Sequence, residues 1–324
     1  MKEYAIALLA LALVCSISAD PAQAQRARTF VASYGNDANP CTFGSPCKTF
    51  QQAVNVVAAG GEVTAIDSAG FGPITISQAV TITSPDGIEA GIVPVAGGNA
   101  ITINAGANDA IVLRGLTLNG SGSAYNGIAF NSGGSLTVIN CLAQNFIYDG
   151  SHASTGNGIL IQPTSGTVRF NITNSVVTNN AQAGISYRPH NTPNANGVVD
   201  NVTAVGNQYG ISVNTTPSPG GQTNVAILNS VLSNNGVDGL FASGGSGQTQ
   251  VVSVDHASIV GNGSIGIDAE TTSYVILGRS VITGNGIGVQ NNTPNTFYTY
   301  QDNRISGNNT TDISSPLNPS LPLQ

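Results

Sequence analysis

The chain has 324 residues, 40% of them hydrophobic, and only 8% are charged against the roughly 25% usual in a soluble domain. Gly occurs 40 times, Trp is absent, and Asn, Ser and Thr supply most of the polar character, a mixture poor for helix interiors. A net charge of −7 without any basic run excludes nucleic acid as the natural partner, and the Val and Ile content excludes a disordered chain.

Residues 1–24 read as a targeting segment. Lys2 and Glu3 precede the apolar run "YAIALLALALVCSIS", and Ala22-Gln23-Ala24 forms a small-residue cleavage site. The run is too short for a comfortable membrane span and no other long one follows, so the expectation is a secreted protein, extracellular, periplasmic or at the cell surface, cleaved after Ala24. Ala19 offers a second site, and Cys15 is discarded with the leader.

Residues 25–62 read as a strand, a loop and a helix. "RTFVAS" has strand character, and Cys41 and Cys47 sit close together between prolines in "NPCTFGSPCKTF". In an oxidising compartment that spacing favours a local disulfide, whereas a metal site would need further ligands nearby. "TFQQAVNVVAAGG" places Phe50, Ala53, Val54 and Val57 on one helical face, opened by a Thr49/Gln52 capping pair and stopped by Gly60-Gly61. Cys141 is left over and reads as a small buried hydrophobe.

Residues 63–314 repeat themselves. "SVVTNN", "VTAVGN", "SVLSNN", "ASIVGN", "SVITGN" and "NRISGN" end at Asn180, Asn207, Asn235, Asn262, Asn285 and Asn308. Gly-Ile, Gly-Leu or Gly-Val follows the first five of these asparagines, at Gly184, Gly210, Gly239, Gly266 and Gly288. Each unit holds three short alternating runs separated by turn residues, too short for helices and rich in β-branched residues. The prediction is all-β: a parallel β-helix of nine to ten three-strand coils, stacked about 4.8 Å apart, with the helix of residues 50–57 covering its open end. The third residue of each run (Val177, Ala204, Leu232, Ile259, Ile282, Ile305) is expected to point inward, and the asparagines to stack between coils. Residues 315–324, rich in proline, read as an extended tail.

The opening "GNDANPCTFGSPCKTFQQAVNVVAAGGEV", followed by these Asn-Gly-Ile coils, resembles the secreted right-handed parallel β-helix proteins of the pectin-lyase-like superfamily, most of all the bacterial right-handed β-helix repeat group. The resemblance implies the fold and, among other uses, action on polysaccharide. That superfamily holds pectate lyases, polygalacturonases, alginate-modifying enzymes, tailspikes and non-catalytic surface proteins. The Gly-His-Gly and Arg-Ile-Lys runs of polygalacturonases are missing, and "RPHNTP" lacks the second Arg of the pectate-lyase run.

Two groups of residues offer chemistry once the coils are set in register. The first is Asp255, His256, Arg279 and Asp302, which three consecutive coils bring together and which reads either as a base and a cation for a sugar acid or as a salt-bridge ladder. "SVDH" also resembles an Asp-His pair of pectate lyases. The second lies on the strand after the asparagine turn, where Arg188, Phe241, Asp268 and Glu270 face outward beside Ser and Asn. Asp268 and Glu270 suit an acid/base pair or a solvated acidic patch. The sequence specifies no cofactor, and calcium enters only for a lyase. The functional expectation is a secreted β-helix that binds or acts on extracellular polysaccharide or a cell-surface glycan, uronate-containing in the lyase case. The alternative is a non-catalytic structural or adhesive surface protein; an enzyme on this frame would be a polysaccharide lyase or a glycoside hydrolase.

Overall fold

In the computed structural model, residues 26–152, 154–292 and 296–319 are described. The expected leader cleavage at Ala24 lies outside them, as does the end of the tail.

Among the described residues, short β-branched runs form 32 strands in three parallel sheets, of 12, 10 and 10 strands. The chain visits the first, second and third sheet in turn, so that each strand pairs with its counterpart one coil earlier and one coil later. This is the expected parallel β-solenoid. Inward rows repeat the same residue type from coil to coil. On the third sheet the row runs Ile159, Ile185, Ile211, Leu240, Ile267 and Val289, all buried. On the second sheet Val177, Ala204, Leu232, Ile259 and Ile282 are fully buried as predicted, and Ile305 packs partly buried against the core.

The repeated asparagine has a structural cause. It closes the turn from the second to the third sheet, where no strand can satisfy the backbone. Asn207 accepts at Oδ1 from the backbone N–H of Asn180 (3.1 Å) and from its Nδ2 (2.9 Å), and gives its own Nδ2 to the carbonyl of Val177 (3.0 Å). The pattern repeats through Asn235, Asn262, Asn285 and Asn308. The glycine that follows is required by the same ladder: a Cβ on Gly210 would meet the Gly239 carbonyl oxygen at 2.6 Å and Asn235 Nδ2 at 2.9 Å. Asn and Gly therefore recur together because the amide of one coil occupies the space above the glycine of another.

The N-terminal end is covered as expected. The helix Phe50–Val56 is capped by Thr49, whose side chain accepts from the Gln52 N–H at 3.2 Å, and it buries Phe50, Ala53 and Val54. It stops earlier than Gly60-Gly61 predicts: Val57 is already extended and opens the strand Val57–Ala65, paired with Arg26–Val31. Pairing with the first strand outweighs the weak helical preference of consecutive valines. Cys41 and Cys47 form the predicted disulfide, and Cys141 is buried. At the far end Asn318–Pro319 pairs with Tyr298–Thr299, so part of the expected tail extends the first sheet.

Candidate functional site

The first charged group assembles where register places it. Asn174, Asn201 and Asn229 occupy left-handed turn positions between the first and second sheets, and the two following coils put His256 (φ 52°) and Arg279 (φ 45°) there. Asp255 closes the strand Gln248–Asp255, receives Arg279 Nε at 2.9 Å and the Arg279 Nη2, and lies 3.1 Å from His256 Nδ1. Asp302 accepts from the Arg279 backbone N–H at 2.9 Å. Partial burial disfavours the Asp255 carboxylate, but the hydrogen bonds and charges of Arg279 and His256 outweigh it and hold its carboxyl below the ordinary range. Both Asp255 oxygens are thus engaged, and the anion is too well stabilised to be a strong base.

The second group lies on the outer face of the third sheet, where stacked amides form the floor upstream. Asn126 donates to Asn99 (2.9 Å), Asn157 to Asn126 (3.1 Å), Asn131 to Asn104 (2.9 Å) and Gln162 to Asn131 (2.8 Å). Further along, a recess of about 190 Å³ opens between Arg188, Ser186, Ser212, Asn214, Tyr209 and Phe241. Tyr209 and Phe241 pack with ring centroids 5.8 Å apart and inclined at 54°. Phe241 is paired in register with Ser212 on one side and Asp268 on the other, and Ser243 is paired with Glu270. Register continues the rows that flank the recess into three carboxyl groups: Asp268 beside Phe241, Glu270 beside Ser243 and Asp238 beside Tyr209.

Asp238 is a site residue that the sequence reading missed. It occupies the row just before each Gly mark, where earlier coils carry Asn126 and Asn157, and it keeps their task by accepting from the Ile265 N–H at 3.1 Å. Aligning the residue immediately before each Gly would have exposed it as the carboxylate in an amide row. Burial pushes the Asp268 carboxyl up to about 7, helped by the charges of Asp238 and Glu270 and by a hydrogen bond with Glu270. Burial also raises Asp238 to about 6, against the opposing Ile265 hydrogen bond and with the Glu270 charge. Burial, then the charges of Asp238 and Asp268, raises the Tyr209 phenol as well. Asp268 is only 7% exposed, and its Oδ1 is buried with no hydrogen-bond partner.

A calcium ion takes 6–8 oxygens, commonly several of them from carboxylates. Here Asp238 Oδ1 is committed to Ile265, and Glu270 Oε1 receives Asn292 Nδ2 at 2.6 Å. Among the described residues no group of three or more His, Cys, Asp or Glu side chains is arranged to hold a metal. The donor set does not fit calcium, and no chemical step is assigned to a metal. What the arrangement does provide is a carboxyl group that carries a proton near neutrality, next to aromatic rings and hydroxyl- and amide-bearing side chains.

No family model matches the sequence, and no curated protein matches it. Solved structures do. The crystal structure of pectate lyase Pel9A aligns with a TM-score of 0.58 and 15% identity, over 91% of this chain and 78% of that one. The A-module of mannuronan C-5 epimerase AlgE6 from Azotobacter vinelandii aligns at 0.48 and 16%, over 84% and 94%. The Dettilon tailspike protein aligns at 0.39 and 12%, over 89% and 69%. The fold of this chain is that of the pectate lyase, a right-handed parallel β-helix.

Proposed function

We propose that this chain binds extracellular polysaccharide along the outer face of the third sheet, from the amide ladder through Arg188 to Glu270, and that Asp268 is the group able to donate a proton to a bound glycosidic oxygen. The observation that carries the reading is the recess with its neighbouring row: aromatic rings and amides, the usual partners of sugar faces and hydroxyls, line it, and the next coil sets beside Phe241 a carboxyl group whose protonated form persists near neutral pH. A general acid is useful when its pKa lies near the working pH. Polysaccharide-directed proteins of the same fold, such as the pectate lyase, support the substrate class at a coarse level. The Cys41–Cys47 disulfide supports an oxidising, extracytoplasmic setting.

The testing experiment uses the chain without residues 1–24 against a panel of pectate, alginate, acidic exopolysaccharides and neutral glucans, read for retention and for new chain ends. Retention together with new saturated ends that Asp268→Asn abolishes is the expected result. Unsaturated ends lost on Asp255→Ala or His256→Ala would move the chemistry to the turn cluster. Retention without cleavage would make the rod a binding or adhesive protein, and no retention by any glycan would overturn the reading.

A further inference from the structure

We propose that the acidic end of this face is a subsite for a protonated amino group, so that the chain selects polysaccharides carrying free amino sugars. The inference rests on the polysaccharide reading above and adds the substrate class.

Three features of the site converge on an ammonium. Asp238, Asp268 and Glu270 stand on adjacent coils, and none of the ion pairs among the described residues involves them. No arginine contributes to the electrostatics of Asp238 or Asp268: Arg279 pairs with Asp255 at the turn between the first and second sheets, and Arg188 stands two coils upstream of Phe241. Asp268 Oδ1 is a buried acceptor with no donor. Leaving such an atom unpaired costs about 1–3 kcal/mol, which an incoming N–H removes.

Aromatic rings complete the set. Tyr209 and Phe241 lie beside these carboxyls, and ring faces next to carboxylates are the general means of holding an ammonium. An ammonium offers three donors in a compact head. An ammonium needs no more than three acceptors, without the closed shell of 6–8 oxygens that calcium requires. A uronate would instead place its carboxylate against three acidic groups, and like charges at close range disfavour each other.

The titration of the site agrees. The groups facing Asp268 are Glu270 on its own strand, Asp238 and Phe241 on the preceding strand, and the neutral Gln290 on the following strand, with the Tyr209 phenol one coil further back. Asp268 keeps its proton and offers Oδ1 as a neutral acceptor, while Asp238, raised to about 6, supplies charge as it ionises; affinity therefore rises as pH passes about 6 and falls again once the sugar amine loses its own proton.

The test is calorimetric titration of the chain lacking residues 1–24 with a glucosamine hexamer, its fully N-acetylated counterpart and a galacturonate hexamer at matched salt. The expected result is binding of the free-amine hexamer about tenfold or more tighter than the acetylated one, with Glu270→Gln and Asp238→Asn each removing that preference. Asp302→Asn removes one negative charge at the other cluster and leaves the preference intact, which separates a local subsite from general attraction of a polycation to an acidic protein. Asp238→Asn installs the residue that Asn126 and Asn157 provide in the same row, and Glu270 is only partly buried, so both variants report on folded protein. Equal binding of the amine and acetylated forms would overturn the inference while leaving the polysaccharide reading in place. Tighter binding of the galacturonate, or loss of the preference in Asp302→Asn, also overturns it. Binding of none of the three overturns the inference and counts against the polysaccharide reading together.

Discussion

The two acidic clusters of this rod are built from the same kind of residue and behave in opposite ways. At the turn between the first and second sheets, Asp255 sits beside Arg279 and His256 and is held ionised. On the third sheet, Asp268 sits beside Asp238 and Glu270, is nearly buried, and is pushed toward its protonated form. Sequence charge alone made the first cluster the more conspicuous one. Partnering, which decides reactivity, favours the second: a carboxylate already bonded to an arginine has little left to give, whereas one pressed against other carboxylates keeps a proton it can transfer.

The largest test of that contrast is catalytic. Where new chain ends form, Asp268→Asn is expected to lower their rate by about 10²–10⁴, the range assigned to a positioned general acid. Asp255→Asn is expected to leave it within about twofold, the near-neutral outcome of a change to an exposed pair. Initial rates of reducing-end release on the same glycan measure both. Reversal of the order would return the chemistry to the turn cluster.

Stability against pH distinguishes the clusters by sign. The Asp268 carboxyl is raised from about 3.8 to about 7 in the folded chain, so between those values the folded state holds a proton that the unfolded state has lost. Stability from this group is therefore greatest at the acid end and falls as pH rises toward 7, by up to a few kcal/mol. Asp238 adds the same sign up to about 6. Asp255 is lowered, so its contribution is present above the ordinary carboxylate range and is lost as pH falls through it. Denaturant melts from pH 3 to 8 should show Asp268→Asn flattening the upper part of the curve and Asp255→Asn flattening the acid part.

Both clusters hang on one scaffold, and the asparagine ladder is its most sensitive joint. Asn235→Ala removes the acceptor of the Asn207 N–H and of its Nδ2, and the donor to the Ala204 carbonyl, all buried. The expected loss is about 1–3 kcal/mol from the unpaired groups. Gly210→Ala drives a methyl into the Gly239 carbonyl oxygen and the Asn235 amide, with a loss of about 1–3 kcal/mol from overpacking. Thermal melts at fixed pH measure both, and neither variant should change the pH at which the Asp268 component appears.

These residues also mark how far the sequence could be read. Spacing between Asn180 and Asn308 carried the solenoid, the inward rows and the pairing of Arg279 with Asp255, because register in a coil is arithmetic. Thr49 and Phe50 carried the cap. Asp238 was not legible in the same way, since it stands beside a turn in "NNGVDGLF" and reveals its neighbours only when the third sheet sets it in register with Tyr209 and places Asp268 in register with Phe241. The protonation of Asp268 was hidden for the same reason: burial and neighbouring charge belong to the folded surface and not to residue order.

The smallest expected effect is at Arg279. Its left-handed backbone (φ 45°) is unfavourable for a side chain of that size, whereas Asn174, Asn201 and Asn229 occupy the equivalent turns at φ between 48° and 52°. What Arg279 gains is an exposed pairing with Asp255, which solvent and salt weaken. Arg279→Asn substitutes the residue that earlier coils use, relieves the backbone and restores the amide ladder through Asp255, so the two changes nearly cancel. Melting temperature in low and high salt should stay within the scatter of replicate measurements. A large drop that high salt abolishes would instead show that the pair at the turn anchors the C-terminal coils, and the contrast between an inert and a reactive cluster would then need a structural role for the first.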